Sequence, residues 1–184
     1  MMDMALTVLS TESVAAVFGG SGVKAAVELE FTLPADCHAI VIRVTTAEDS
    51  AMWSLADDFT LTQMTEGGAG EPVYGPFGKN YVTNGSFESL SGNGIPNGLT
   101  ELFNNGSAME HAWGVKAFLE TDPANVYDGS NSVHLVDTVN QWARFGMSAA
   151  IEPNKSYVLS FQIKGTAGEP VGVRIVENGV EAWV

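Results

Sequence analysis

Between Glu66 and Lys79 the chain places Gly67, Gly68, Gly70, Pro72, Gly75, Pro76 and Gly78. Proline removes a backbone donor and fixes φ, and glycine loses the most conformational freedom on ordering. Such a run cannot form the interior of a sheet or a helix. It reads as a linker over residues 66–80, with one set of elements in 1–65 and another in 81–184. The chain must either assemble one fold from these two parts or divide between them.

On both sides of this run the apolar residues recur with a period of two. Val27, Leu29, Phe31 and Leu33 alternate with Glu28, Glu30 and Thr32, the pattern of a half-buried strand. Ile40, Ile42 and Val44 share one face of a second strand, and Phe59 and Leu61 point inward from a third over 52–64. Beyond the run, Tyr157, Leu159, Phe161 and Ile163 alternate with Val158, Ser160, Gln162 and Lys164. Shorter strands are expected at 81–88, at 110–118 around Trp113, and at 132–137, 141–147 and 171–176. Asp122-Pro123 and the Tyr127-Asp128-Gly129-Ser130-Asn131 stretch supply turn chemistry between them. No long segment carries the helical period, so the expected fold class is all-β, an antiparallel β-sandwich.

At 184 residues, 45% of them hydrophobic, the chain can bury one sizeable core or parts of two. Its net charge of −14 leaves no basic footprint for nucleic acid and repels anionic membranes, while favouring divalent cations. No apolar run approaches the ~20 residues that span a bilayer. The first basic residue is Lys24, so the mildly apolar start does not read as a secretory signal. Work outside a cell would then require another route, such as release within an assembled virus particle. Cys37 is the single cysteine and reads as a small buried hydrophobe. His38, His111 and His134 show no ligand spacing, and no nucleophile elbow, phosphate loop or metalloprotease motif is present. A non-enzymatic role is expected.

Five phrases carry a resemblance. They are Asn84-Gly85-Ser86-Phe87-Glu88, the turn into Ser132-Val133, the strand around Trp142, Pro153-Asn154-Lys155-Ser156-Tyr157, and the pair Phe31–Ala35 and Asp57–Leu61. Together they resemble carbohydrate-binding modules of the galactose-binding-like superfamily, of the family 4, 9 and 22 type. In those modules the last pair closes a jelly-roll; here it comes first in the chain. The resemblance therefore implies either a circular permutation, with both parts in one domain, or strand sharing between copies. It also implies a structural Ca²⁺ held by Asp57 and Glu88, with Asp58 as the alternative ligand and carbonyls of the Gly129-Ser130 turn. Asp57 shares strand parity with Phe59 and Leu61 and is expected to point inward.

If Phe145 and Met147 are core, Trp142 and Arg144 stand on the outer face. An exposed ring beside a polar fork is how a β-sandwich stacks and clamps a sugar. Gln162, on the non-core face of its strand, and Trp113 complete the candidate carbohydrate-binding set. The functional expectation is an adhesive or structural surface module, at a virus-particle surface as a decoration, tail or fibre component. Its partners would be a glycan or polysaccharide, other copies of itself, or neighbouring virion proteins. Two alternatives are a pure assembly protein and an accessory module of a secreted polysaccharide-degrading enzyme.

Overall fold

The computed structural model describes residues 11–14, 22, 24–46, 52–66, 72–73, 78–92, 94, 96–99, 109–110, 116–137, 144–166 and 171–177. Among them there are strands and no helix, and none is therefore long and apolar enough to cross a membrane. The strands are β1 (Thr11–Val14), β2 (Ala25–Thr32), β3 (Ala39–Thr46), β4 (Met52–Gln63), β5 (Thr65–Glu66), β6 (Pro72–Val73), β7 (Met109–Glu110), β8 (Lys116–Glu120), β9 (Ser132–Asp137), β10 (Arg144–Ala150), β11 (Ser156–Gly165) and β12 (Val171–Glu177).

Two antiparallel sheets form the body of the structure. One has the order β2-β11-β4-β9-β8-β7 and the other β1-β12-β3-β10. In both, strands from before the Gly/Pro-rich run sit between strands from after it. Neither part of the chain can complete a sheet alone. The run itself contributes β5 and β6, a short ribbon pairing Glu66 with Pro72. Pro72 opens its strand, where a missing donor costs little.

The alternating residues build one core between the sheets. β2 reads alternately buried and exposed along its length, with Val27, Leu29 and Phe31 inward. Ile40, Ile42 and Val44 of β3 meet Phe145 and Met147 of β10 and Val173 and Ile175 of β12 across their ladders. All are 2% exposed or less. Phe59 lies at the centre of the interior. Its ring stacks on Phe161 at 4.5 Å and meets Phe145 of the facing sheet and Phe87 edge-on at 5.8 and 5.9 Å. Burying each such side chain stabilises the fold by about 1.5–3 kcal/mol. Cys37 is fully buried, as its reading as a small hydrophobe requires.

Two expected strands take another form. Residues 81–88 are a succession of turns, because Asn84 and Phe87 adopt φ of 61° and 59°. The segment still runs beside β4: Tyr81 N–H donates to Leu61 O (2.8 Å) and Phe59 N–H to Gly85 O (2.9 Å). The single strand expected over 110–118 is instead the hairpin of β7 and β8, Met109 opposite Ala117. Trp113 lies outside the described residues.

Gly85 presses so closely on the backbone of Phe59 that a Cβ would overlap the Phe59 carbonyl. Gly85→Ala must therefore push the Asn84–Glu88 turns off β4 and withdraw Phe87 from the core. It is expected to lower unfolding stability by several kcal/mol, about the cost of a lost core side chain. Gly92→Ala, where a Cβ meets nothing within 4 Å, should be close to neutral. Urea denaturation of the two variants checks the contrast.

Candidate functional site

The site is organised by an extra residue in β4. Thr60 pairs with Ser160, but the next pair on β11 is Gln162 with Asp57, so β4 spends one residue more than its partner. The extra residue is Asp58, at φ 56°. A bulge of this kind reverses which face the following side chains use. Phe59 and Leu61 point into the core, whereas Asp57 stands opposite Gln162 on the outer face of the six-stranded sheet. The inward orientation expected for Asp57 from simple parity is thus corrected: the bulge turns it out.

Asp57 is nonetheless 2% exposed, because residues 121–131 fold over it. Its Oδ2 accepts the N–H groups of Tyr127 (3.0 Å) and Asp128 (3.3 Å), and its Oδ1 that of Asp58 (2.7 Å). Glu88 Oε1 accepts those of Ser130 and Asn131, both at 2.8 Å. Gly129, at φ 74°, lies so close to Glu88 that a Cβ would meet its carboxylate. At the other end of the loop, Glu120 Oε1 accepts the N–H groups of Thr121 and Asp122, each at 2.9 Å. Lysines take the carbonyl side. Lys164 Nζ donates to Ala124 O (2.6 Å) and Asn125 Oδ1 (2.9 Å), and Lys24 Nζ to Val126 O (3.0 Å). The loop is held by carboxylates on its donors and ammonium groups on its acceptors.

These interactions are tuned by burial. Asp57 is pushed up to about 6 by burial, which outweighs the backbone donors of Tyr127, Asp128 and Asp58. Burial also raises Glu120, but its N–H donors and Asn125 overcome this and hold the carboxyl below its usual range. Lys164 is lowered by burial and by the neighbouring charge of Lys24. Between the loop and the sheet lies a pocket lined in part by Lys24, Asp57, Asn125, Tyr127, Gln162 and Lys164.

Beside the pocket, on the same outer face, is an aromatic group that sequence reasoning did not assemble. His134 of β9 packs against Phe118 (4.5 Å between centroids) and Trp53 (6.1 Å). Its Nδ1 lies 3.4 Å from Glu120 Oε2, a contact that strengthens only when the ring is protonated, and burial holds its pKa below the ordinary value. Trp53 stands here because the bulge moved it to the outer face along with Asp57.

The residues proposed from sequence divide among three places. Asp57 and Glu88 converge on the Tyr127–Asn131 turn, and Asp58 occupies the bulge beside them. They meet the turn's N–H groups rather than its carbonyls, and among the described residues no three His, Cys, Asp or Glu side chains are grouped as a metal site. Gln162 lines the pocket of the six-stranded sheet. Arg144 is on the outer face of the four-stranded sheet, since Phe145 and Met147 are core. Gln162 and Arg144 therefore face opposite sides of the sandwich and cannot close on one ligand. Trp142 and Trp113 lie outside the described residues. No family model, no curated protein and no solved structure matches the chain.

The raised Asp57 carboxyl carries a pH signature. The unfolded group ionises near 3.8 and the folded one near 6, so the folded chain binds the extra proton between these values. The stability gained from that proton is full below 3.8 and is lost as pH rises through about 6. Asp57→Ala leaves three N–H groups unpaired and should destabilise at every pH. Its deficit relative to the parent should be larger at pH 4 than at pH 7. Urea unfolding of both proteins at the two pH values, in chelator, measures this; a deficit independent of pH would show that Asp57 ionises normally.

Proposed function

We propose that this chain is a non-catalytic glycan-binding β-sandwich, of galactose-binding-like jelly-roll type with its two parts in permuted order. It serves as an adhesive or structural module at an exterior surface such as that of a virus particle. The observation that supports it is the outer face of the six-stranded sheet. Trp53 and Phe118 present part-exposed rings where a sandwich normally presents only solvated groups, and Gln162 lines the pocket on the same face. Ring faces stack on the apolar faces of sugars, and adjacent donors fix the hydroxyl groups. The interleaving of strands from both parts supports a single permuted domain over strand exchange between copies.

A structural calcium belongs to the same reading. Asp57 and Glu88, with Asp58 as the alternative ligand, would hold it if the turn gave up the N–H groups now bound to their carboxylates and turned carbonyls of Gly129-Ser130 toward the ion, and the cation would supply the positive charge that raised Asp57 lacks. Calcium at millimolar concentration is then expected to raise the thermal midpoint, and Glu88→Gln to abolish the rise. A midpoint that does not move removes the cation from this function without touching the aromatic face.

The binding function is tested on a glycan array, followed by titration of any glycan retained. Trp53→Ala is expected to weaken binding by roughly tenfold or more with the far-ultraviolet spectrum unchanged. Trp142→Ala, at the tryptophan singled out from the sequence, serves as the comparison. Absence of any retained glycan would overturn the adhesive role and leave assembly.

A further inference from the structure

Lys164 is an ammonium group in unusual surroundings. It is 7% exposed, and a charge so far from water normally has a carboxylate against it. Here Nζ meets two neutral oxygens, Ala124 O at 2.6 Å and Asn125 Oδ1 at 2.9 Å. Among the described residues no carboxylate forms an ion pair with it. The strand register encloses it further: Lys164 stands opposite Leu55, Leu55 opposite His134, and His134 opposite Phe118. Burial and the like charge of Lys24 hold its pKa below the ordinary lysine value, against the opposing pull of Glu120 and Asp122. Both effects favour the neutral amine, and a neutral lysine is a nucleophile.

The carboxamide that Lys164 touches is gripped at its other end. Asn125 Nδ2 donates to Glu120 Oε2 (3.0 Å). The second oxygen of Glu120 is occupied by the N–H groups of Thr121 and Asp122, which keeps Oε2 on the amide nitrogen. The same Oε2 lies 3.4 Å from His134 Nδ1. Both ring nitrogens of His134 are buried, and among the described residues neither makes a hydrogen bond. Four side chains therefore stand in line: amine to amide oxygen, amide nitrogen to carboxylate, carboxylate to imidazole. A lysine that only props up a loop needs its acceptors. It has no use for a carboxylate and an imidazole on the far side of the acceptor amide.

We infer that Lys164 and Asn125 form an intramolecular amide bond, made once by the folded chain on itself with release of ammonia. The Nζ lone pair adds to Asn125 Cγ, and the carbonyl electron pair moves to Oδ1. When that pair returns, the bond from Cγ to Nδ2 breaks. One Nζ proton passes to the departing nitrogen. Glu120 Oε2, already against Nδ2, carries it as base and then as acid, and His134 can take or return a proton at the same oxygen. The proton that the Lys164 ammonium first gives up leaves with the ammonia as ammonium, so the exchange of one amide for another balances without a co-reactant. The amine and the amide are already in contact, which removes most of the entropic cost of bringing them together. The new bond ties β11 to the 121–131 loop that covers Asp57, and it does not depend on glycan binding.

The intact mass of the purified full chain is measured by electrospray, fresh and after incubation of the folded protein at pH 7 and pH 9. It should fall below the sequence mass by one ammonia, and a protease digest should contain a branched peptide joining Asn125 to Lys164. Conversion should be faster at pH 9, where Lys164 is more often neutral. The charged groups around it are Lys24 ahead of β2, Asp57 of β4, Glu120 of β8, Asp122 of the loop and His134 of β9. Asn84-Gly85 and Asn97-Gly98 can also lose ammonia, by ring closure onto their own backbone. Lys164→Arg separates the two, since it keeps a cationic donor for the loop, cannot form the bond and should retain the full mass. Glu120→Gln should slow conversion roughly a hundredfold or more with the far-ultraviolet spectrum unchanged. Closing the chain between Asn125 and Lys164 constrains the unfolded state, so the converted protein should melt about 10 °C above unconverted chain. A folded parent that keeps its full sequence mass at both pH values overturns the proposal. So does ammonia loss that persists in Lys164→Arg, or a branched peptide that joins other residues. Conversion of Glu120→Gln at the parental rate overturns the role given to Glu120.

Discussion

Everything on the outer side of the larger sheet follows from one additional residue in β4. Asp58 adopts a left-handed backbone conformation and shifts the strand's alternation by one. Before the bulge the inward residues are Ser54 and Ala56; after it they are Phe59 and Leu61. Without it Asp57 would be an uncompensated carboxylate among phenylalanines, at a cost of several kcal/mol. With it, Phe59 anchors the core and Asp57, two residues away, anchors a loop. The bulge lets one strand do both within a single turn of chain.

The loop it anchors illustrates how a strongly acidic chain uses its few bases. Net charge acts over the whole surface and is screened by salt, whereas short, partly buried contacts are local and hardly screened. Lys24 and Lys164 are spent on carbonyls under the 121–131 loop, and the arginines on the opposite sheet. Carboxylates meanwhile act as acceptors for orphan N–H groups, at Asp57, Glu88 and Glu120. The loop therefore needs no regular secondary structure to be defined: its backbone groups are satisfied by side chains from four different strands and from the Asn84–Glu88 turns.

Much of the architecture was legible from residue patterns. β2 and β11 were readable because Glu28, Glu30, Ser160 and Gln162 mark the solvent side against Val, Leu and Phe. Three things were not legible. A bulge is announced by no more than the Asp57-Asp58 doublet, since Asp tolerates positive φ better than most residues, and the doublet alone does not say which carboxylate turns outward. The turns at 81–88 were foreshadowed by Asn84-Gly85, but the positive φ of Phe87 is not announced by its residue type. Sheet membership is decided by long-range pairing, so local parity placed Gln162 and Arg144 correctly on outer faces while leaving open that the faces are opposite ones. The same limit hid the Trp53, Phe118 and His134 group, whose members come from three strands separated by many residues.

The interleaving of strands from the two parts of the chain also governs the order in which the molecule can acquire its structure. β2 and β4 are made early, yet the strand that fits between them, β11, is more than ninety residues further along than β4. At about 5–20 residues per second of synthesis, the early strands wait roughly 5–20 s for their partner. During that interval Leu29, Phe31, Phe59 and Leu61 have no sheet to cover them and the edges of both strands are open. Closure of this topology waits for β11, and its dependence on contacts distant in sequence makes it slower than that of a sequentially wound sandwich.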